Sequence, residues 1–465
     1  MFSNIDNASV TFFRIGIGVL FSWWAWDYLA SGRAYSVYVE PKVHFSYRWF
    51  DWLQPLGHQG TVLIFVAVVL LGILVSAGIW YRLSATLLAI CFSYLFLLEK
   101  TNYQNHYYLM TLLAWWLPFL PLERNVAFDA KRNPKIASQM VPRWVLWILR
   151  FHIGLPYVYG GLAKFHSDWL AGEPMRQILA AQRNLPIVGS LVNNESAVFA
   201  FVWGGLIFDL VIVPLLLIQR TRTVAFAACV VFHVTNSVLF HIHVFPWFMI
   251  FATTLFFEPN WPRRVLGGEP LSSPLERPLD GATLWRYREI GMILIVMYCL
   301  FHCAWPFRNL LYQGNSSWTE RGHLFSWRMM LRGKTVGVRY FVVDGSSGEV
   351  YNPNLRGMIT VDQANRFARD PEMILQLAHH LANAHEARTG HHAKVFALVL
   401  ASLNGRKPQV YLDPKVNLAA EPRYASSRSW VLPLTEPLRT SPWSIPLAEW
   451  EKHVVLPPLP VVTAR

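Results

Sequence analysis

Eight separate apolar stretches, most of them close to the roughly 20 residues that a helix needs to cross a bilayer, govern what this chain can fold into. They run 12–30, 61–80, 83–98, 107–121, 144–163, 197–218, 223–257 and 290–307. The seventh is too long for one pass and reads as a hairpin of two short helices, so the expectation is nine spans. In lipid every backbone N–H and C=O must be satisfied within its own segment, so such runs become helices rather than loops or open strands. Composition points the same way. Charged residues make up only 15% of the chain, against about 25% in soluble proteins. The 21 Trp and 18 Tyr supply rings that favour the boundary between hydrocarbon and water.

The net charge of +13 is not gathered into a basic cluster with interleaved aromatics, so it is read as membrane orientation and not as a nucleic-acid surface. Lys and Arg concentrate in alternate loops, for example Arg124, Lys131, Arg132 and Lys135, then Arg220 and Arg222, then Arg263 and Arg264. Placing these loops in the cytoplasm puts the N-terminus inside and, after nine spans, the C-terminal part outside. No small-residue cleavage site follows 12–30, so that run is expected to stay as the first span. Cys91, Cys229, Cys299 and Cys303 lie in apolar runs without metal-ligand spacing and are expected as core residues, with no metal site.

From Arg308 onward the apolar runs shorten and turn signals appear. Segments 335–343 and 349–351 read as one hairpin, and 395–402 and 409–412 as a second around Asn404-Gly405. Residues 362–388 have the spacing and acidic start of one helix, and the Pro-rich segment from Pro433 is expected to pack irregularly. The fold class is therefore a mainly α membrane protein. A transmembrane helical bundle over 1–307 is followed by a non-cytoplasmic α+β domain over 308–465.

Ionisable groups in or beside spans are costly to bury and are functional candidates by default. The richest set is Glu99-Lys100-Thr101-Asn102-Tyr103-Gln104-Asn105-His106, between the third and fourth spans. The plain alternative is a lysine at the edge of a span that snorkels to the surface. If it is instead a base, burial beside lipid would lower its pKa, and its place at the edge of a span means that its removal should leave folding close to normal. A second set is His233, Asn236 and Ser237, spaced i, i+3, i+4 on an otherwise apolar helix, with a satisfied structural histidine as the alternative. His241 and His243 diverge on a helix and make no metal pair. Arg150 in the fifth span requires a partner, most simply Asp209. His379, His380, His385, His391 and His392 read as a solvated face.

The run Phe96-Leu97-Leu98-Glu99-Lys100-Thr101, followed by Asn105-His106 and Tyr108-Leu109, resembles the stretch of vitamin K-dependent γ-glutamyl carboxylases that holds their catalytic lysine. Further matches keep the same order: Tyr157 with Gly161, Lys164, Asp168 and Trp169; Phe232-His233 with Asn236-Ser237; Trp261-Pro262-Arg263; Ser326-Trp327 with Met329-Met330; and Asp413-Pro414. The likeness spans nearly the whole chain, which ends where animal members continue into a further lumenal domain, so a bacterial-type member is implied. Gly322, His323 and Arg332 stand where those enzymes carry other residues near their glutamate site.

The resemblance implies Lys100 as the catalytic base and Asn102, Asn105, His106, His233 and Asn236 as cofactor-binding residues. It implies reduced vitamin K (phylloquinol or menaquinol) as cofactor, O2 and CO2 as co-substrates, and no metal. The implied partners are the lipid bilayer, the quinol and a glutamate-containing peptide or protein. The expected location is a bacterial inner membrane, with the endoplasmic reticulum membrane as the alternative. Two other functions stay open: a quinol-using membrane oxygenase without glutamyl carboxylation, and a transporter or scaffold of the same fold.

Overall fold

The computed structural model describes residues 1–184, 189, 194–240, 242–267, 282–425 and 428–462; His241 lies outside them. The membrane part consists of helices α1 (Ala8–Ala30), α2 (Gly57–Ala77), α3 (Tyr81–Leu98), α4 (Asn105–Trp116), α5 (Arg143–Ala163), α6 (Glu195–Leu217), α7 (Arg222–Phe240), α8 (Phe245–Thr253) and α9 (Ala282–Ala304). Among the described residues, six helices are long and apolar enough to cross a membrane: α1, α2, α3, α6, α7 and the segment Arg288–Leu311. The other three expected spans are the 21-residue α5, which carries Arg150 and His152, and the shorter α4 and α8, of 12 and 9 residues. The expected hairpin is therefore one full-length helix followed by a short one.

Helix packing follows the rule for lipid, where small residues let backbones approach and hydroxyls bridge them. A Cβ on Gly18 would lie 2.4 Å from the Gly72 carbonyl, and one on Gly72 would lie 2.5 Å from the Gly18 carbonyl. At the same crossing Ser22 donates to the Val69 carbonyl at 2.8 Å and Ser76 to that of Ile15 at 2.8 Å. Buried cations also find acceptors. Arg150 does not meet Asp209; it donates to the carbonyls of Leu255 and Phe257 at 2.8 and 3.0 Å, because the helical segment ending at Phe256 leaves those groups unbonded beside it. Asp209 pairs with Lys164 instead.

The C-terminal part holds a four-stranded antiparallel sheet in which two hairpins meet along their long strands. A separate two-stranded sheet, β1 (Asn4–Asp6) with β2 (Met140–Pro142), ties the N-terminus to the start of α5. The long central pair, β3 (Lys334–Asp344) and β5 (Ala393–Leu403), runs in register from Lys334 opposite Leu403 to Asp344 opposite Ala393. Short β4 (Val350–Tyr351) and β6 (Gln409–Val410) complete the two hairpins that the turn residues had indicated. Val342, Val395, Ala397 and Val399 pack on one face against the helical layer, and Trp450 of the Pro-rich segment packs with Phe341 and Leu398 on the other.

The segment read as one helix over 362–388 is two helices, α10 (Val361–Phe367) and α11 (Pro371–Thr389). Pro371 has no N–H and disfavours helical backbone at the residue before it, so Asp370 leaves the helix and caps the next one, accepting from the Glu372 N–H at 2.9 Å. His385 is not on a solvated face. It is buried, with Nε2 2.9 Å from Asp344 and Nδ1 3.0 Å from the Tyr351 hydroxyl.

The two parts are locked together by the segment between α1 and α2. Val43 and Phe45 enter the core of the sheet domain, where the Phe45 ring stacks on Phe367 with centroids 5.5 Å apart. Gln376 of α11 bonds both the N–H and the carbonyl of Ser46, at 3.0 and 3.1 Å.

Candidate active site

α3 ends at Leu98, and the chain turns through Lys100–Asn102 before α4 begins. Glu99, fully buried, fixes this turn. Its carboxylate accepts from the Thr101 N–H and hydroxyl at 3.0 and 2.6 Å and from Gln363 of α10 at 3.0 Å, and it lies 3.0 Å from His44 Nδ1. The Lys100 N–H donates to the Phe45 carbonyl at 2.7 Å. The Lys100 turn is thus held by the sheet domain as well as by the membrane helices.

Lys100 does not snorkel. It is 5% exposed, and its Nζ lies 2.7 Å from both Asp370 and Glu372. Burial alone pulls the ammonium down, but the two carboxylates outweigh it and hold the pKa above the ordinary amine value, opposite to the direction expected from burial beside lipid. Asp370 is depressed correspondingly: burial raises it, and Lys100 with Arg428 more than reverses that. Both acids come from the helix break at Pro371, with Asp370 at the cap and Glu372 in the first turn, where the helix dipole favours negative charge. Glu372 also lies 3.6 Å from Arg423 and 3.5 Å from Arg428.

Asn102 points into a tyrosine network. Its amide donates to the hydroxyls of Tyr28 and Tyr38, both at 3.1 Å, and Tyr28 shares a hydrogen bond with Tyr107 at 2.9 Å. Asn105 accepts from Tyr103 at 3.0 Å, and that hydroxyl accepts in turn from the Phe325 N–H at 2.7 Å.

His106 and His233, far apart in sequence, are brought to one ring. His106 stacks on Phe245 with centroids 5.0 Å apart, and His233 meets the same ring edge-on at 6.1 Å. The His233 Nε2 shares a 2.6 Å hydrogen bond with the Tyr157 hydroxyl, while its Nδ1 is buried without a hydrogen-bond partner among the described residues. Asn236 lies one turn further along α7 and is half-buried.

The structure therefore groups His106 with His233 and places Lys100 in a separate, carboxylate-lined niche. Sequence reasoning missed Asp370 and Glu372 beside Lys100. The Asp-Pro-Glu at 370–372, which signals a helix start, was available as a pointer to both. Tyr157 stood among the residues that carry the resemblance, but its pairing with His233 depends on how α5 and α7 pack and has no local signal.

These features define a class: a bundle of apolar helices closed by an α+β domain, with a buried amine at the seam and paired histidines in the bundle. The HTTM domain model matches residues 2–261, and the model described as Vitamin K-dependent gamma-carboxylase, lumenal domain, matches residues 287–437. The chain belongs to the vitamin K-dependent γ-glutamyl carboxylase family and is an integral membrane protein. No solved structure matches it.

Proposed function

We propose that the protein is a carboxylase-epoxidase that consumes reduced vitamin K, O2 and CO2 to convert glutamyl residues to γ-carboxyglutamate on the non-cytoplasmic face of a bacterial inner membrane. The observation that carries the reading is the buried Lys100, placed where two domains meet and tied to carboxylates that can hold or release its proton. We assign residues 1–307 to the quinol-binding bundle and 308–465 to the outer domain.

When bound, the reduced quinone supplies, with O2, a base far stronger than any side chain, which a weakly acidic glutamyl γ-proton requires. His106, His233 and Phe245 fit such a ring: two imidazoles flank an aromatic surface, and the orphaned Nδ1 of His233 is a polar atom that a ligand hydroxyl would satisfy. Asn236 extends the same face. Asn102 and Asn105 act by positioning Tyr28, Tyr38 and Tyr103. His233→Ala is expected to weaken quinol use more than folding, since a polar contact within a span contributes only about 0.6–2 kcal/mol. Unchanged quinol affinity with loss of detergent-stable protein would make His233 purely structural.

Lys100 as found carries its proton, so it acts as a base only when that proton leaves Nζ. The rate of quinol consumption is expected to rise with pH into the alkaline range, because the paired carboxylates hold the amine pKa up. Glu372→Gln removes one of those charges and is expected to move the rise to lower pH. A profile unmoved in Glu372→Gln means that Lys100 is not the titrating group.

The reading as a whole is tested by incubating purified protein with reduced vitamin K, a glutamyl peptide and labelled bicarbonate, scoring epoxide and fixed label separately. Both products support the carboxylase. Epoxide without label supports a quinol oxygenase lacking glutamyl carboxylation, and neither product supports a non-enzymatic role.

A further inference from the structure

A cavity of about 450 Å³ lies where two span ends meet the sheet domain, lined by the end of α5, the segment Trp305–Leu311 that follows α9, and the loops 312–316 and 326–328. The Tyr159 hydroxyl joins the span ends by donating to the Cys303 carbonyl, and its ring meets Phe307 edge-on with centroids 5.5 Å apart. Arg308 fastens the second loop, donating to the Phe325 carbonyl at 3.3 Å and the Ser326 hydroxyl at 2.7 Å. One side of the cavity is apolar. Leu162, Phe165, Phe307 and Leu310 line it and are all exposed, at the level where the apolar segment Arg288–Leu311 ends.

The other side presents donors. Arg328 is half-buried, and its Nε is buried without a hydrogen-bond partner among the described residues. Burial pulls its pKa below the ordinary guanidinium value, with no carboxylate to offset the loss of water. His166 accepts from the Asp168 N–H at Nδ1, 3.2 Å away, so the neutral ring carries its proton at Nε2. Asn315 accepts from the Ser317 N–H at 2.8 Å through its side-chain oxygen, which turns its amide nitrogen to within 3.4 Å of that same Nε2. Two donors thus stand side by side and call for an acceptor. None of the lining residues is Asp or Glu, and Asp168 is taken up by Arg406 and Asn404. A cation withdrawn from water without a counter-charge is costly, and an anion in the cavity removes that cost.

We propose that this cavity binds the headgroup of a membrane phospholipid, with Arg328, His166 and Asn315 donating to the phosphodiester and the acyl chains leaving over Leu162, Phe165, Phe307 and Leu310. Free phosphate would satisfy the same donors but has no use for the apolar side, so the lipid is the occupant. The donor set also selects the headgroup. The ammonium of a zwitterionic lipid finds no carboxylate here, whereas the uncharged glycerol of phosphatidylglycerol needs none. The inference does not rest on the carboxylase reading. Trp327, next to Arg328, packs against Tyr108 of α4 with centroids 4.9 Å apart, so a lipid held by Arg328 steadies the loop that covers the bundle.

The test uses full-length protein, stripped of lipid in detergent and titrated with phosphatidylglycerol, phosphatidylcholine or glycerol 3-phosphate, and read by native mass spectrometry and thermal unfolding. Wild type is expected to bind one phosphatidylglycerol about 10- to 100-fold more tightly than Arg328→Gln does, the usual worth of hydrogen bonds to a charged group. It should hold phosphatidylcholine more weakly, and excess glycerol 3-phosphate should not displace the lipid. Arg328→Lys, which keeps the charge but loses the planar fork, should retain part of the affinity. Without lipid, Arg328→Gln should unfold no sooner than wild type, because it removes an uncompensated charge. Phosphatidylglycerol should raise the unfolding temperature of wild type only. Equal retention of phosphatidylglycerol by wild type and Arg328→Gln overturns the proposal. Displacement by glycerol 3-phosphate overturns it as well, since the cavity would then be a site for soluble phosphate, and so does equal or tighter binding of phosphatidylcholine. If Arg328→Gln does not fold, Arg328→Lys and the comparison of lipids on wild type decide.

Discussion

Lys100→Ala is expected to lower quinol-dependent turnover by about 10²- to 10⁴-fold, the usual range for loss of a general base, and also to destabilise the protein. The second effect comes from the structure: buried Asp370 and half-buried Glu372 would lose the ammonium that neutralises them. Breaking a buried pair from one side costs about 3–5 kcal/mol, and the lower end applies here because Arg423 and Arg428 remain near Glu372. Catalysis and structure separate in the variant carrying Lys100→Ala, Asp370→Asn and Glu372→Gln together. Removing the stranded charges should recover most of the thermal stability and none of the turnover. High pH should restore part of the turnover to Lys100→Ala, since hydroxide replaces the missing amine. Full activity in the triple variant at neutral pH would remove Lys100 from the mechanism.

Arg406→Met is expected to cost about 3–5 kcal/mol of stability, detected as a lower unfolding temperature in detergent. Arg406, on the turn between β5 and β6, grips Asp168, just beyond the end of α5, through two hydrogen bonds of 2.6 and 2.7 Å, and Asn404 adds a third at 2.8 Å. Burial pushes the Asp168 carboxyl up, but Arg406 and Asn404 outweigh it and hold the pKa below the ordinary value. The sign follows: the depressed group stabilises the fold above the ordinary carboxylate pKa of about 4, and that contribution fades as pH falls through the folded value. The difference between wild type and Arg406→Met should therefore be full at pH 7 and shrink in acid. A difference that stays constant with pH would assign the loss to packing of the arginine stem.

What could be read in advance divides by the range of the interaction. Apolar run length gave the helices, and alternation with turn residues gave both hairpins, because those signals act over a few residues. The Asn404-Gly405 turn was legible as a turn, but its role as the clasp on Asp168 was not, since the partner lies 236 positions away. Lys100 and Glu99 stood out by charge beside an apolar helix. The reading of Lys100 as a snorkelling or pKa-lowered amine failed because both expectations assume lipid or water around it, and Asp370 and Glu372 reach it only through a helix break 270 residues downstream. Arg150 failed similarly. Carbonyls freed at a helix end have no sequence signature, whereas an acid such as Asp209 does.

The insertion of Phe45 into the sheet domain constrains the order of assembly on the ribosome. Residues 43–45 are made early and finish a hydrophobic core whose strands arrive some 290 residues later. Closing a contact across so much chain is slow, so the nascent bundle must wait with a phenylalanine unburied until the last domain emerges. A fragment beginning after α9 would lack the Phe45 that fills its interior against Phe367. The membrane half thus behaves as a template on which the outer half completes itself.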